Sequence, residues 1–230
     1  MKILAVGAHP DDVEFGCAPV LIQEVQKGHQ VRILVASRGE AASSGTPEER
    51  EQEARAAARI IGAPIDFLHL GGDCHIQYSP ANSILMAREI RKFAPQAVLA
   101  PSLDENQHPD HAAVGKMVRD AARLARYGGL EDTRDLPPHA IGALYYYSVT
   151  QVFPGQPDVV IDVSAVHDQW VAAMECHQSQ MSTRGYVDLV NARARAAGAA
   201  IGVAYAVPLW ANDPIRISSL GDLPLSSRYF

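Results

Sequence analysis

Met1-Lys-Ile-Leu-Ala-Val-Gly-Ala-His-Pro-Asp-Asp-Val-Glu14 decides how this chain is read. Residues 2–8 form a short apolar run that stops abruptly at His9-Pro10-Asp11-Asp12, so they read as a buried β-strand opening into a polar turn. Two aspartates directly after the run argue for a strand and against a secretory signal. About a hundred residues on, the apolar run 97–101 is followed by a second turn of the same kind, His108-Pro109-Asp110-His111.

Working outward, further short apolar runs at 31–36, 65–68, 142–147 and 158–162 also read as strands. Amphipathic stretches near 17–28, 46–62, 80–94, 110–127 and 164–179 separate them, and helix-like text rich in Ala and Arg covers 183–198. The helix after residue 46 is the most clearly marked. Thr46 is its cap, Pro47 suits its first position, Glu49 completes a capping box, Glu51 and Arg55 pair one turn apart, and Gly62 stops it. Ser79-Pro80 opens the next helix in the same way. This alternation predicts an α/β fold: a Rossmann-like, mostly parallel sheet with helices on both faces, in one domain spanning 1–230. Residues 128–141, polar and rich in Pro and Gly, read as a long surface loop. The Pro-punctuated tail from 206 onward is expected to wrap the domain or an oligomer partner.

Composition narrows the function classes. With 230 residues, 47% hydrophobic and 20% charged, the chain has the make-up of a globular protein with ample core. A formal charge of -6 and the lack of a basic stripe argue against nucleic acid as a partner. No apolar run reaches membrane-spanning length, so no membrane partner is expected. Cys17, Cys74 and Cys176 are scattered and odd in number, which implies no disulfide framework and suits a cytoplasmic protein.

The two His-Pro turns carry the chemistry. Ligand sites in open parallel sheets form beyond the carboxyl ends of strands, where both turns lie. Pro10 and Pro109 fix φ within each motif and lower the entropy cost of holding ligands in place. His9 and Asp12 can face one point in space, and His108 and His111 share that spacing. A catalytic zinc needs three protein ligands and an open position, so one histidine and Asp11 are left for proton transfer. Spacing alone does not choose among them. Asp110 is expected to orient one imidazole, as a carboxylate behind a metal ligand does.

Ala8-His9-Pro10-Asp11-Asp12-x-Glu14 together with His108-Pro109-Asp110-His111 resembles the zinc-dependent N-acetylglucosaminyl deacetylases of the LmbE/PIG-L family. Gly39-Glu40, the stretch Gly45–Arg50, Cys176–Gln180 and Ile201–Tyr205 are similar as well, closest to the branch acting on N-acetylglucosaminyl malate in bacillithiol synthesis. The resemblance implies that His9, Asp12 and His111 hold one zinc per chain, with iron as the alternative metal. It implies further that Asp11 is the general base, His108 the electrophilic or acid partner, and Arg50 a substrate contact. Glu14 is read either as a group near the ligands and substrate or as a charge favouring the next helix N-terminus. The implied substrate is a small N-acetylated sugar, and the implied assembly a homo-oligomer, such as a hexamer. Two departures stand out: Ala41-Ala42-Ser43-Ser44 replaces a stretch that commonly includes an arginine, and Val207 follows Tyr205-Ala206 where relatives tend to be acidic.

Cys74-His75 lacks the partners of a tetrahedral site, and Cys176-His177 falls on a helix where neighbours diverge, so both pairs read as structural or surface residues. Gly71-Gly72-Asp73 reads as a loop near the active face, and Tyr145-Tyr146-Tyr147 as strand residues facing alternate sides. A dinucleotide-binding oxidoreductase is disfavoured, because β-strand residues lead into Gly7-Ala-His-Pro and not a Gly-x-Gly-x-x-Gly loop. A non-catalytic sugar-binding relative would need neither Asp11 nor His108. A hydrolase of another acylated amine stays open.

Overall fold

Each apolar run forms a strand in the computed structural model, which describes residues 1–105, 108–149, 155–181 and 185–222. These are β1 (Lys2–Gly7), β2 (Gln30–Val35), β3 (Ile65–Phe67), β4 (Ala97–Pro101), β5 (Ala143–Tyr147) and β6 (Val159–Asp162). A seventh, β7 (Ala206–Ala211), completes one sheet in the order β3-β2-β1-β4-β5-β7-β6. Strands β1 to β5 pair in parallel, and β7 runs antiparallel to both β5 and β6.

The sheet is covered on both sides, so β1 is apolar and buried from Ile3 to Gly7. Ile3 and Ala5 join a core under α2 (Ala18–Gln26), α3 (Pro47–Ile61), α6 (His167–Met174) and α8 (Tyr186–Ile201). Leu4 and Val6 face the opposite core, closed by α4 (Pro80–Phe93) and α5 (Pro109–Leu124). This is a single-domain α/β fold with helices on both faces of a mostly parallel sheet. Thr46 and Glu49 make the reciprocal capping-box bonds at the start of α3, worth about 1 kcal/mol. None of the helices, among the described residues, is long and apolar enough to cross a membrane.

The structure corrects the tail. Residues 206–211 do not wrap the surface; they insert between β5 and β6. Pro208 is an unusual residue for a strand between two others, since proline cannot donate to a ladder. Here the Leu209 carbonyl accepts the Asp158 amide, so Leu209 faces β6 and the Pro208 nitrogen points away from it. On that far side β5 pairs only with Trp210 and Ala211, and no donor is missed. The rest of the tail beyond 222 lies outside the described residues, as do 183 and 184 of the helix expected at 183–198.

Two other expectations shift. The helix near 17–28 begins early: α1 (Asp12–Gly16) forms directly after the first turn, and Cys17 separates it from α2. The stretch 164–179 divides into a 3-10 turn, α6, and the short α7 (Gln178–Met181). The loop 128–141 is only partly a surface feature, because Thr133 within it is fully buried.

Candidate metal centre and catalytic cleft

Strand order places the site. β1 and β4 are neighbours whose connections leave in opposite directions along the sheet, the switch point where a crevice opens beyond the strand ends. The loop after β1 carries His9, Asp11 and Asp12, and the loop after β4 carries His108, Asp110 and His111. Both line a cleft of about 400 Å³ together with Arg50, Asp73 and Cys74. One wall is apolar, made by Phe15, Val149 and Tyr186, and the outer side is the small, uncharged stretch Ala41–Ser44.

Asp12 organises the first turn. Its Oδ2 accepts the amides of Ala8 (2.8 Å) and His9 (2.9 Å), while Oδ1 lies 3.0 Å from His111 Nε2. His9 Nδ1 stands 3.3 Å from that same His111 nitrogen and 3.7 Å from Asp12 Oδ2. Three side chains thus converge on one point with donor spacings of 3.0–3.7 Å. Tetrahedral ligands at zinc distances stand roughly 3.3–3.4 Å apart. Two imidazole nitrogens and a carboxylate aimed at each other, all buried, suit a divalent cation.

The other face of His9 is held by carboxylates. Its Nε2 lies 3.2 Å from Asp110 Oδ2 and 3.1 Å from Asp73 Oδ1. Asp110 therefore does reach an imidazole, that of His9, leaving Nδ1 free for a cation. Burial alone would lower the His9 pKa, but Asp110, Asp12 and Asp73 outweigh it and hold it well above the ordinary value. Burial also works against ionised Asp12, yet His111 and His9 keep its carboxyl well below the usual range.

Asp11 is the strained member. It sits at φ 119°, a left-handed backbone that a non-glycine residue rarely adopts. Arg50, buried in α3, donates from Nη2 to the Pro10 carbonyl (2.9 Å) and to Asp11 Oδ2 (3.2 Å), and from Nη1 to the Gly39 carbonyl (3.3 Å). Gly39 admits that guanidinium: a Cβ there would stand 1.9 Å from Nη1. Burial pushes the Asp11 carboxyl up to about 6, against the opposing pull of Arg50.

His108 caps α5, its Nδ1 accepting the Asp110 amide at 3.2 Å. The ring proton of the neutral form is consequently on Nε2, which faces the cleft 3.9 Å from Cys74 Sγ. Burial and the neighbouring His9 and His111 hold the His108 pKa below its ordinary value.

Two groups carry no sign of their contacts in the sequence. Asp73 reads only as part of a loop near the active face, although its carboxylate meets His9. Its signal is positional: it lies in the loop beyond β3, after Gly71 and Gly72 at φ 106° and 90°. His177 was read as structural or surface, and it is wholly buried, with Nε2 3.6 Å from Glu14 Oε2. Glu14 itself lies beneath the cleft and is not among its lining residues. Cys74 lines the rim, donating to Asp73 Oδ1.

Fold and site together define a class: an α/β protein with a His-Asp-His cluster able to hold a cation at the switch point and a half-buried carboxyl beside it. A family model described as PIG-L: GlcNAc-PI de-N-acetylase matches residues 4–122, and the chain belongs to that family of enzymes. It is 32% identical to a conserved protein from Thermus thermophilus, TT1542, with a TM-score of 0.82 over 94% of this chain and 96% of that one. It is also 25% identical, over 193 residues, to 4-oxalmesaconate hydratase of Pseudomonas putida, covering 77% of this chain and 73% of that protein. N,N'-diacetylchitobiose deacetylase from Pyrococcus horikoshii shares the fold, with a TM-score of 0.80 at 21% identity over 91% of this chain and 83% of that one.

Proposed function

We propose that this protein is a metal-dependent hydrolase that removes the acetyl group from an N-acetylglucosamine-type amine. The observation that carries the reading is the convergence of His9, Asp12 and His111 beside Asp11 in a chain of the de-N-acetylase family. We propose zinc as the ion, held by those three side chains. A divalent cation supplies Lewis acidity there, polarising a carbonyl and lowering the pKa of a coordinated water toward about 7.

The chain's own groups do the rest. Asp11, aligned by Arg50, takes the proton of the attacking water as its oxygen bonds to the amide carbon. Its raised pKa suits a base that must later give that proton back. His108, neutral and with its proton on Nε2, donates a hydrogen bond to the developing oxyanion, an effect worth roughly 3–4 kcal/mol. Asp11 then returns the proton to the departing nitrogen as the C–N bond breaks, leaving acetate and a free amine. Asp110 and Asp73 hold the His9 ring for its ligand role. Arg50 has a second role as a substrate contact, since it lines the cleft.

The finer assignment, N-acetylglucosaminyl malate of bacillithiol synthesis, rests on sequence resemblance. Among the described lining residues the cleft offers one guanidinium, Arg50, to an anionic aglycone. The same reading makes the protein a cytoplasmic homo-oligomer with no nucleic acid or membrane partner. A second reading follows from the likeness to the Pseudomonas hydratase: addition of water across an unsaturated carboxylate, with Asp11 again as the base.

One assay separates them. Metal-quantified protein is given N-acetylglucosamine, its malate glycoside and an unsaturated dicarboxylate, with and without a chelator. Chelator-sensitive amine release supports the deacetylase, and the rate ratio of the two sugars locates the aglycone. Loss of the alkene without amine release, in protein carrying one metal per chain, would replace the deacetylase by the hydratase.

A further inference from the structure

Beneath the cleft lies a pair that the mechanism does not use. Glu14 and His177 are 2% and 0% exposed, with Oε2 and Nε2 3.6 Å apart. Neither His177 ring nitrogen nor Glu14 Oε1 has a hydrogen-bond partner within the described structure. Buried polar groups are ordinarily satisfied, and a poorly bonded buried pair is often less stable than apolar side chains of like size. Stability therefore does not explain why these two residues are here.

Their position does. Glu14 lies in α1, a five-residue helix that is entirely buried and begins at the metal-ligand candidate Asp12, one residue after Asp11. A helix this short cannot hold its own conformation, let alone the left-handed backbone of Asp11 before it. Tertiary anchors must hold it: besides Asp12 at its start, bonded to the Ala8 and His9 amides, two come from the far half of the chain. Trp170 of α6 donates Nε1 to the Glu14 carbonyl at 2.7 Å, and His177 faces the Glu14 carboxylate. The tie to the turn runs within α1, where the Phe15 amide donates to the Asp11 carbonyl at 2.9 Å. Phe15 also forms part of the cleft wall, stacked on Tyr186, and its ring lies 6.0 Å from that of His177.

We propose that His177 and Glu14 are positioning residues: the pair clamps α1 from below and so fixes the strained Asp11 turn above the metal centre. Its His177 half lies beyond the matched segment 4–122, so the C-terminal part of the chain takes part in positioning the Asp11 turn.

The test is the apolar double variant Glu14→Met/His177→Phe, with Glu14→Gln as a shape-preserving control should the double variant fold poorly. Amide hydrogen exchange and thermal melting are measured on full-length, metal-loaded protein. We expect exchange at residues 12–15 to rise at least tenfold, exchange within α3 and α5 to stay the same, and Tm to hold or increase. Turnover should fall at least tenfold, with KM within twofold and one metal per chain retained. Unchanged exchange at 12–15 overturns the clamp whatever the substrate proves to be. A lower Tm with uniformly faster exchange overturns it too, since the pair would then be an ordinary structural contact.

Discussion

Arg50 and Arg91 are both 4% exposed, yet they are buried in opposite manners. Arg91 in α4 donates only to neutral carbonyls: Ala125 (3.0 Å), Tyr127 (2.7 Å), Thr133 (2.6 Å) and Leu136 (2.9 Å). It gathers the end of α5 and the following loop around one guanidinium, and it does not line the candidate cleft. Arg50 shares its donors between the Pro10 and Gly39 carbonyls and the Asp11 carboxylate, with Asp73 Oδ2 3.9 Å away. Its Nε has no partner within the described structure. A buried arginine surrounded by carbonyls is a fold device. One incompletely satisfied and turned to carboxylates at a strand-end crevice is placed where it can act on chemistry.

The comparison can be broken most severely at Arg50. Arg50→Met should keep its metal and lower turnover by roughly 10²–10⁴-fold, the range of a general base, because Asp11 loses its alignment. Steady-state kinetics with metal analysis decides it. Arg91→Met should do the reverse. Its carbonyls, deprived of donors, cost about 3–4 kcal/mol of stability by denaturant unfolding, while turnover per folded molecule stays unchanged. If Arg91→Met abolished turnover without loss of stability, the distinction would collapse.

Two smaller effects sharpen it. Burial pushes the Asp11 carboxyl up to about 6 while the Arg50 charge pulls it down. Removing that charge raises the pKa further, and the base must be ionised to act. The residual activity of Arg50→Met should therefore be lost at higher pH on the acid side than that of the unaltered protein, as pH–rate profiles would show. Smallest is Thr46→Ala, which removes the cap of the helix carrying Arg50. It should cost about 1 kcal/mol of stability and leave turnover within twofold.

Much of this was legible in the chain before any coordinates. The fold could be read because both sheet faces are covered, so β1 from Ile3 onward, β4 and β5 announce themselves as apolar runs. The candidate cation cluster could be read because one of its turns follows β1 directly and the other lies in the loop after β4. What escaped was non-local. Pro208 hid β7, since its tolerance depends on which side of the strand its nitrogen faces. Asp73 meets His9 only because β3 ends beside β1's neighbour, and no spacing in the chain records that. His177 reads as structural or surface, and its burial depends on α6 packing over α1. Asp11 gave its identity away but not its strain or its tie to Arg50, 39 positions on.

The central claim is that Asp11 is the base beside a cation held by His9, Asp12 and His111. The most direct test measures bound metal and amine release together in Asp11→Asn and His9→Ala. The account predicts one metal per chain in Asp11→Asn with turnover down at least about 10²-fold. In His9→Ala it predicts loss of both metal and turnover. Metal-loaded Asp11→Asn protein with full turnover would contradict it.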